Sequence, residues 1–179
     1  SMEFKRIQHK RIEKEIRLID YLSSTFNLSK KEAIALVELG AIYRNKKRCL
    51  ENDLLNPNDY LRVHLKPKRF KTPKDISKNV YADFEDFVVA VKPSGLPSIP
   101  SLDNAIENLH KLLEASLNKC LYPVHRLDVE TSGLILFAKN KVAAKDFGNL
   151  ISSGNFHKSY LALSKTQLKP KVYTHYLTA

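Results

Sequence analysis

The sequence predicts an α+β chain folded as two small units, and three observations carry that reading. Apolar residues in the first third recur every three or four positions, as on one face of a helix. Later stretches instead hold short apolar runs and alternations of strand length. Between them lies Lys66-Pro67-Lys68-Arg69-Phe70-Lys71-Thr72-Pro73-Lys74, where two prolines and five cations disfavour regular structure. The expected division is a unit at 1–66, a basic linker at 67–80 and a larger unit at 81–179.

Element by element, Ile12, Ile16, Ile19, Leu22 and Phe26 make one helical stripe, with Lys14, Glu15 and Arg17 outside it. A second helix starts at Ser29, because Ser29-Lys30-Lys31-Glu32 is a capping box whose side chains satisfy free backbone N–H groups. Ala33, Ile34, Leu36 and Val37 supply its buried side, and Gly40 stands where a helix stops. A strand from Ala41 to Arg44 leads into the turn Asn45-Lys46-Lys47. Leu61, Val63 and Leu65 then alternate with Arg62, His64 and Lys66 as a half-buried strand.

Past the basic stretch, Phe87 to Val91 is an uninterrupted apolar run, expected as a strand covered on both faces. Lys92-Pro93-Ser94-Gly95-Leu96-Pro97 closes it with a tight loop. A helix is expected from Asn104 to Leu117 with Ile106, Leu109, Leu112, Leu113 and Leu117 inward, then a buried strand from Leu134 to Ala138. Asn140 caps a helix whose inner residues include Val142, Ala143, Phe147, Leu150 and Ile151, and Ser152-Ser153-Gly154 ends it. Lys158 to Ser164 alternates as a last strand, Leu161 and Leu163 on one face and Tyr160 on the other.

Composition narrows the function. A hydrophobic share of 43% supports packed cores, and a formal net charge of +11 favours a polyanionic partner. That charge alone fits nucleic acid or an anionic membrane surface, but no amphipathic stripe sets interfacial aromatics beside the cations. With neither a long apolar run nor a leader pattern, the chain reads as soluble and cytoplasmic. Cys49 and Cys120 fit no disulfide or metal framework and read as reduced thiols. Ser1-Met2 reads as a cloning remnant before a natural start.

The stretch His125-Arg126-Leu127-Asp128-Val129-Glu130-Thr131-Ser132-Gly133-Leu134 carries the chemistry. In extended backbone, residues two apart share a face, so Arg126 and Asp128 point one way and Leu127 the other. An arginine beside a carboxylate favours its ionised form. Such a group, aimed out of a sheet, can serve as a nucleophile or base. An Arg–Asp pair in a loop is also a common structural ion pair. His125 has no Gly-x-Ser-x-Gly elbow to serve, which sets hydrolase chemistry aside and leaves it a structural role in the loop. His110 and His157 fit no metal spacing. Thr131 and Ser132 are expected to bond backbone in the turn, and Lys139 either to contact phosphate or, the favoured alternative, to be solvated.

Two resemblances follow from these residues. Two short helices, then Gly40-Ala41-Ile42-Tyr43-Arg44-Asn45, then Asn58-Asp59-Tyr60-Leu61-Arg62-Val63, resemble an S4 RNA-binding domain. That likeness implies an RNA-backbone surface carrying Lys30, Lys31, Arg44, Lys46, Lys47 and Arg48, whose cations would release phosphate counterions on binding. Lys46 stands where that family often has glycine, and Asn58 replaces a second glycine. His125-Arg126-Leu127-Asp128, with Thr131-Ser132-Gly133-Leu134, Lys92-Pro93-Ser94-Gly95-Leu96 and Lys158-Ser159-Tyr160, resembles the RluA-type pseudouridine synthases over residues 81–179.

The second resemblance implies part of a mixed, largely antiparallel synthase sheet with flanking helices. It implies Asp128 as the catalytic carboxylate, Arg126 helping to fill the gap left by an everted base, and Tyr160 against the target uracil. It implies ribosomal or transfer RNA as partner, no membrane, no obligatory protein partner, and no cofactor or metal. Members of that family continue past the Lys-x-Tyr strand to a motif absent from this sequence. The expectation is a parent pseudouridine synthase, with this 179-residue piece weakly active or inactive and its open sheet edge prone to association. The alternative is a non-catalytic RNA-binding module that keeps the fold.

Overall fold

The computed structural model describes residues 6–165, 167 and 169–172. The first unit contains β1 (Ile7–Arg11), β2 (Ile16–Arg17), α1 (Leu18–Phe26), α2 (Lys30–Leu39), β3 (Ile42–Arg44), β4 (Lys47–Arg48), β5 (Leu54–Leu55) and β6 (Tyr60–His64). Its main sheet runs β1-β6-β3-β4, and β2 pairs with β5. Ile12, Leu18, Leu22, Ala33, Val37, Ile42, Leu61 and Val63 fill one apolar core.

The stripe from Ile12 to Phe26 is not one helix, since α1 begins only at Leu18. Non-local pairing takes the backbone groups that an earlier start would need. Ile12 N donates to Asp59 O at 2.8 Å, and Ile16-Arg17 pairs with Leu54-Leu55. Ile12 is buried all the same. α2 opens on the expected box: Glu32 N donates to Ser29 Oγ at 3.1 Å and Ser29 N to Glu32 Oε1 at 3.2 Å. It ends at Gly40 in the left-handed region. Ile34 faces solvent, and Leu39 joins Ala33, Leu36 and Val37 inside. The β3–β4 turn puts both Asn45 and Lys46 at positive φ, which matches the twist of a two-residue hairpin. For a lysine that conformation costs about 1–2 kcal/mol.

The second unit contains a 3₁₀ turn (Ile76–Asn79), β7 (Val80–Asp83), β8 (Phe87–Lys92), α3 (Leu109–Leu117), β9 (Tyr122–Pro123), β10 (Gly133–Ala138) and α4 (Lys141–Ser152). Its sheet runs β7-β8-β10-β9, and every strand pairing recorded is antiparallel. β10 lies in register on β8 from Gly133 opposite Lys92 to Ala138 opposite Phe87. A separate core of Ile76, Val88, Ala90, Leu96, Leu109, Leu113, Ile135 and Phe137 sits on one face of this sheet.

The other face is covered at one end only, which corrects the expectation for Phe87–Val91. Phe87 packs edge-on against Phe147 of α4 at 5.2 Å, but Val91 and Leu134 are 39% and 54% exposed. α3 starts at Leu109, not Asn104. Asn104 Oδ1 accepts from Ile106 N and Glu107 N, and Asn108 caps the helix through Lys111 N. Such local bonds hold the chain out of helix, and Ile106 is left exposed. Asn140 caps α4 as expected, accepting from Ala143 N at 2.8 Å, though Val142 and Leu150 face outward. The strand expected at 158–164 does not form. No strand lies beside it among the described residues, and Leu161 and Leu163 are fully exposed. The chain beyond Val172 lies outside the described residues.

The two units meet at a fixed joint. Tyr43 Oη donates to Leu102 O at 2.9 Å, Arg48 Nη2 to Ser101 O at 2.6 Å, and Ala105 N to Leu39 O at 2.8 Å. The Arg62 and Arg48 guanidinium groups lie 4.3 and 5.2 Å from the Tyr43 ring centre. Gly40 sits so close that a Cβ there would come within 2.7 Å of the Ala105 Cβ. The basic stretch is anchored on the second unit: Asp103 accepts from Lys68 N, while Glu107 accepts from Arg69 Nε and Phe70 N.

Candidate active site

Asp128 stands on the loop joining β9 to β10, and that loop is braced on both sides of it, at Leu127, Val129 and Glu130. Lys92, the last residue of β8, is fully buried. Its Nζ donates to Leu96 O at 2.7 Å, to Pro93 O at 3.0 Å and to Val129 O at 3.0 Å. Burial pushes its pKa down, against the pull of Glu130 and Asp128. Gly95 N donates to Val129 O at 2.7 Å, and Ser94 Oγ to Glu130 O at 2.8 Å. Ser98, also buried, bonds Leu127 twice: its Oγ donates to Leu127 O at 2.7 Å and accepts from Leu127 N at 3.0 Å. Thr131 N closes the turn on Asp128 O at 3.0 Å.

This bracing buries Leu127 and leaves Arg126 and Asp128 exposed on either side of it, as the alternation predicts. The two do not form an ion pair, and among the described residues nothing donates a hydrogen bond to the Asp128 carboxylate. A bare carboxylate on a rigid loop can accept a proton or attack an electrophilic carbon.

His125 sets the loop from the other side. Leu136 N donates to its Nε2 at 3.0 Å, so the proton sits on Nδ1, which is buried without a partner among the described residues. The ring packs 5.4 Å from Phe156. Burial, with Lys158 nearby, holds the His125 pKa below its ordinary value, and burial does the same to His64. The unfolded chain therefore takes up protons near pH 6.5 while the folded one does not, so stability present above 6.5 is lost as pH falls through the folded values. Thermal melts should show a lower Tm at pH 5.5 than at 7.5, and His125→Gln should flatten that slope. An unchanged slope in the variant would assign the effect elsewhere.

Tyr160 is 62% exposed and lines a cavity of about 500 Å³ on the open sheet face, with Val89, His125, Leu134, Phe156 and Lys158. Neither Arg126 nor Asp128 lines it. The structure thus brings Arg126 and Asp128 onto one loop and leaves Tyr160 in a separate hollow. Of the six cations expected on the first unit, Lys30, Lys31, Lys46 and Lys47 are exposed. Arg44 Nη2 pairs with Asp59 at 2.8 Å. Burial works to raise that carboxyl, but the Asn56 N–H, the Asn45 amide and Arg44 outweigh it and hold it below its usual range. Arg48 turns into the joint. Lys139, expected to be solvated, bonds Asp83 and Phe84 O and ties the end of β10 to β7.

Sequence reasoning missed Lys92 and Ser98 as the supports of the loop. A signal for Lys92 existed: it continues the inward register of Val88 and Ala90, which marks a buried lysine.

Residues 86–179 match the family described as RNA pseudouridylate synthase. A Mycoplasma pneumoniae protein named as an uncharacterized RNA pseudouridine synthase is 31% identical over 158 residues, 82% of this chain and 50% of that protein. A Helicobacter pylori protein of the same description is 28% identical over 165 residues, 86% of this chain and 50% of its own length. The chloroplastic RNA pseudouridine synthase 6 of rice is 29% identical over 130 residues, 70% of this chain and 27% of that protein. The chain spans about half the length of the first two of these relatives.

Proposed function

Since the chain belongs to the RNA pseudouridylate synthase family, we propose that the protein isomerises uridine to pseudouridine in structured RNA, with Asp128 as the reacting group. In that reaction the bond from ribose C1′ to uracil N1 breaks, the base turns, and C1′ bonds C5. The C5 proton leaves and N1 gains one, so atoms balance and no electron is transferred. The carboxylate starts the exchange by attacking the sugar or by taking a sugar proton. A paired uridine must first be unstacked, at a cost of a few kcal/mol. Arg126 helps fill the gap, and Tyr160 lies against the freed uracil.

The observation that carries this reading is the Asp128 carboxylate itself, exposed and unbonded by the described residues on a loop held by Lys92, Ser94, Gly95 and Ser98. The first unit, residues 1–66, is read as an S4-like RNA-binding domain, joined by the 67–80 linker to the catalytic unit at 81–179. The exposed Lys30, Lys31, Lys46 and Lys47 support that reading. Arg44, paired with Asp59, would add charge rather than direct contact. The substrate class is ribosomal or transfer RNA in a cytoplasmic setting.

A second reading, an RNA-binding module without activity, is favoured by one observation: Tyr160 lines a hollow that Asp128 does not line. Pseudouridine mapping in cellular RNA with and without the gene separates the two. Loss of one or more sites supports the enzyme, and an unchanged map supports the module.

A further inference from the structure

A second hollow opens where the two units meet, with a volume of about 340 Å³. Its wall comes from four parts of the chain. Arg48 belongs to β4, Phe70 to the basic stretch, and Ile99, Pro100, Arg126 and Val129 to the two loops around Asp128. The volume falls within the ~300–1,000 Å³ range of small-molecule sites.

Its charge is uncompensated. Among the described residues neither Arg48 nor Arg126 is paired with a carboxylate, whereas Arg44 and Arg69 are neutralised by Asp59 and Glu107. Arg48 is also held in place, because Tyr43 Oη and Ser101 O accept from its Nη2 at 2.5 and 2.6 Å. A fixed guanidinium suits an anion of fixed position better than a mobile one does. A third cation is close by, as Lys68 Nζ lies 5.5 Å from the centre of the Phe70 ring. The rest of the wall is largely apolar, with Pro97, Ile99, Pro100 and the Phe70 ring beside two serines, Ser98 and Ser101. Cations beside an aromatic ring and an apolar wall are the combination that holds a phosphate and a base together.

We infer that this junction groove binds a nucleotide of the substrate RNA that flanks the target uridine, its phosphate against Arg48 and its base against Phe70 and Ile99. The inference rests on reading Asp128 as the RNA-modifying group. Arg126 lines the groove two residues before Asp128, so a strand passing Asp128 has its next residue within reach of the groove. The first unit and the linker thereby take part in choosing the site, through the neighbours of the uridine and not through the uridine itself.

The probe is fluorescein-labelled octauridylate, read by anisotropy with the intact chain. Ile99→Glu puts a carboxylate into the wall and should weaken binding about five-fold or more, while the neutral Ile99→Gln should change it less than about two-fold. Equal affinity of the two variants, with unchanged Tm, overturns the groove. A second measurement does not depend on any variant folding: octauridylate carrying 4-thiouridine should cross-link to the wild-type chain at Phe70 or its neighbours. Cross-links confined to the Lys30–Lys31 and Lys46–Lys47 surfaces overturn the inference. Its failure is separable from that of the proposed activity. Cross-linking at Phe70 with an unchanged pseudouridine map keeps the groove and removes the enzyme, and Ile99→Glu with wild-type affinity and normal product does the reverse.

Discussion

Asp128→Asn should remove product while leaving the fold and RNA affinity in place. Asn matches Asp in size and loses only the charge. Because the Asp128 carboxylate is exposed and bonds nothing among the described residues, stability should stay within about 0.5 kcal/mol of wild type. Loss of a reacting acid or base typically costs about 10²–10⁴ in rate. In cells lacking the gene, a wild-type copy should restore the missing pseudouridines and the Asn copy should not. Restoration by the Asn copy would remove Asp128 from the chemistry. A large drop in Tm would instead make it a structural residue. Both outcomes differ from the expected one: normal melting, RNA affinity within about two-fold, and no product.

Lys92→Met should be the most destabilising change among the loop supports. Methionine matches the apolar stem of lysine but donates nothing. Leu96 O and Pro93 O would lose the ammonium, while Val129 O would keep the Gly95 N–H. Leaving a buried acceptor unsatisfied costs about 1–3 kcal/mol. With two carbonyls affected, and relief from burying the ammonium set against them, a loss of about 2–4 kcal/mol is expected. The urea midpoint should shift accordingly. Product formation should fall as well, in conditions where the variant is still folded, because the 127–130 backbone would lose a brace. A midpoint within experimental error of wild type would show that the lysine is dispensable to the loop.

The legible parts of this molecule were local ones. The Ser29–Glu32 box, the Gly40 stop and the Asn140 cap are each decided within four residues, so a sequence reader sees both partners. The candidate site was legible as a motif for the same reason, with Arg126, Leu127 and Asp128 alternating over three residues. What could not be seen were bonds to backbone across long separations. Ser98 holds Leu127 from 29 residues away and Lys92 holds Val129 from 37. In both cases one end is a main-chain group, which any residue type supplies. The early start expected for α1 failed on the same ground, since the pairings of Ile12 and Ile16 come from Asp59 and Leu55. The inward turn of Arg48 is a third case, because beside the nearby Tyr43 hydroxyl its acceptor is the carbonyl of Ser101.

The joint around Tyr43 has a consequence for ligand capture. Three hydrogen bonds and a glycine packed against Ala105 leave the two units no free swivel. The entropy of lining up the hairpin cations with the carboxylate loop is therefore spent once, when the chain folds. Each later docking event starts from parts already aligned, and more of its contact energy is left for holding the ligand.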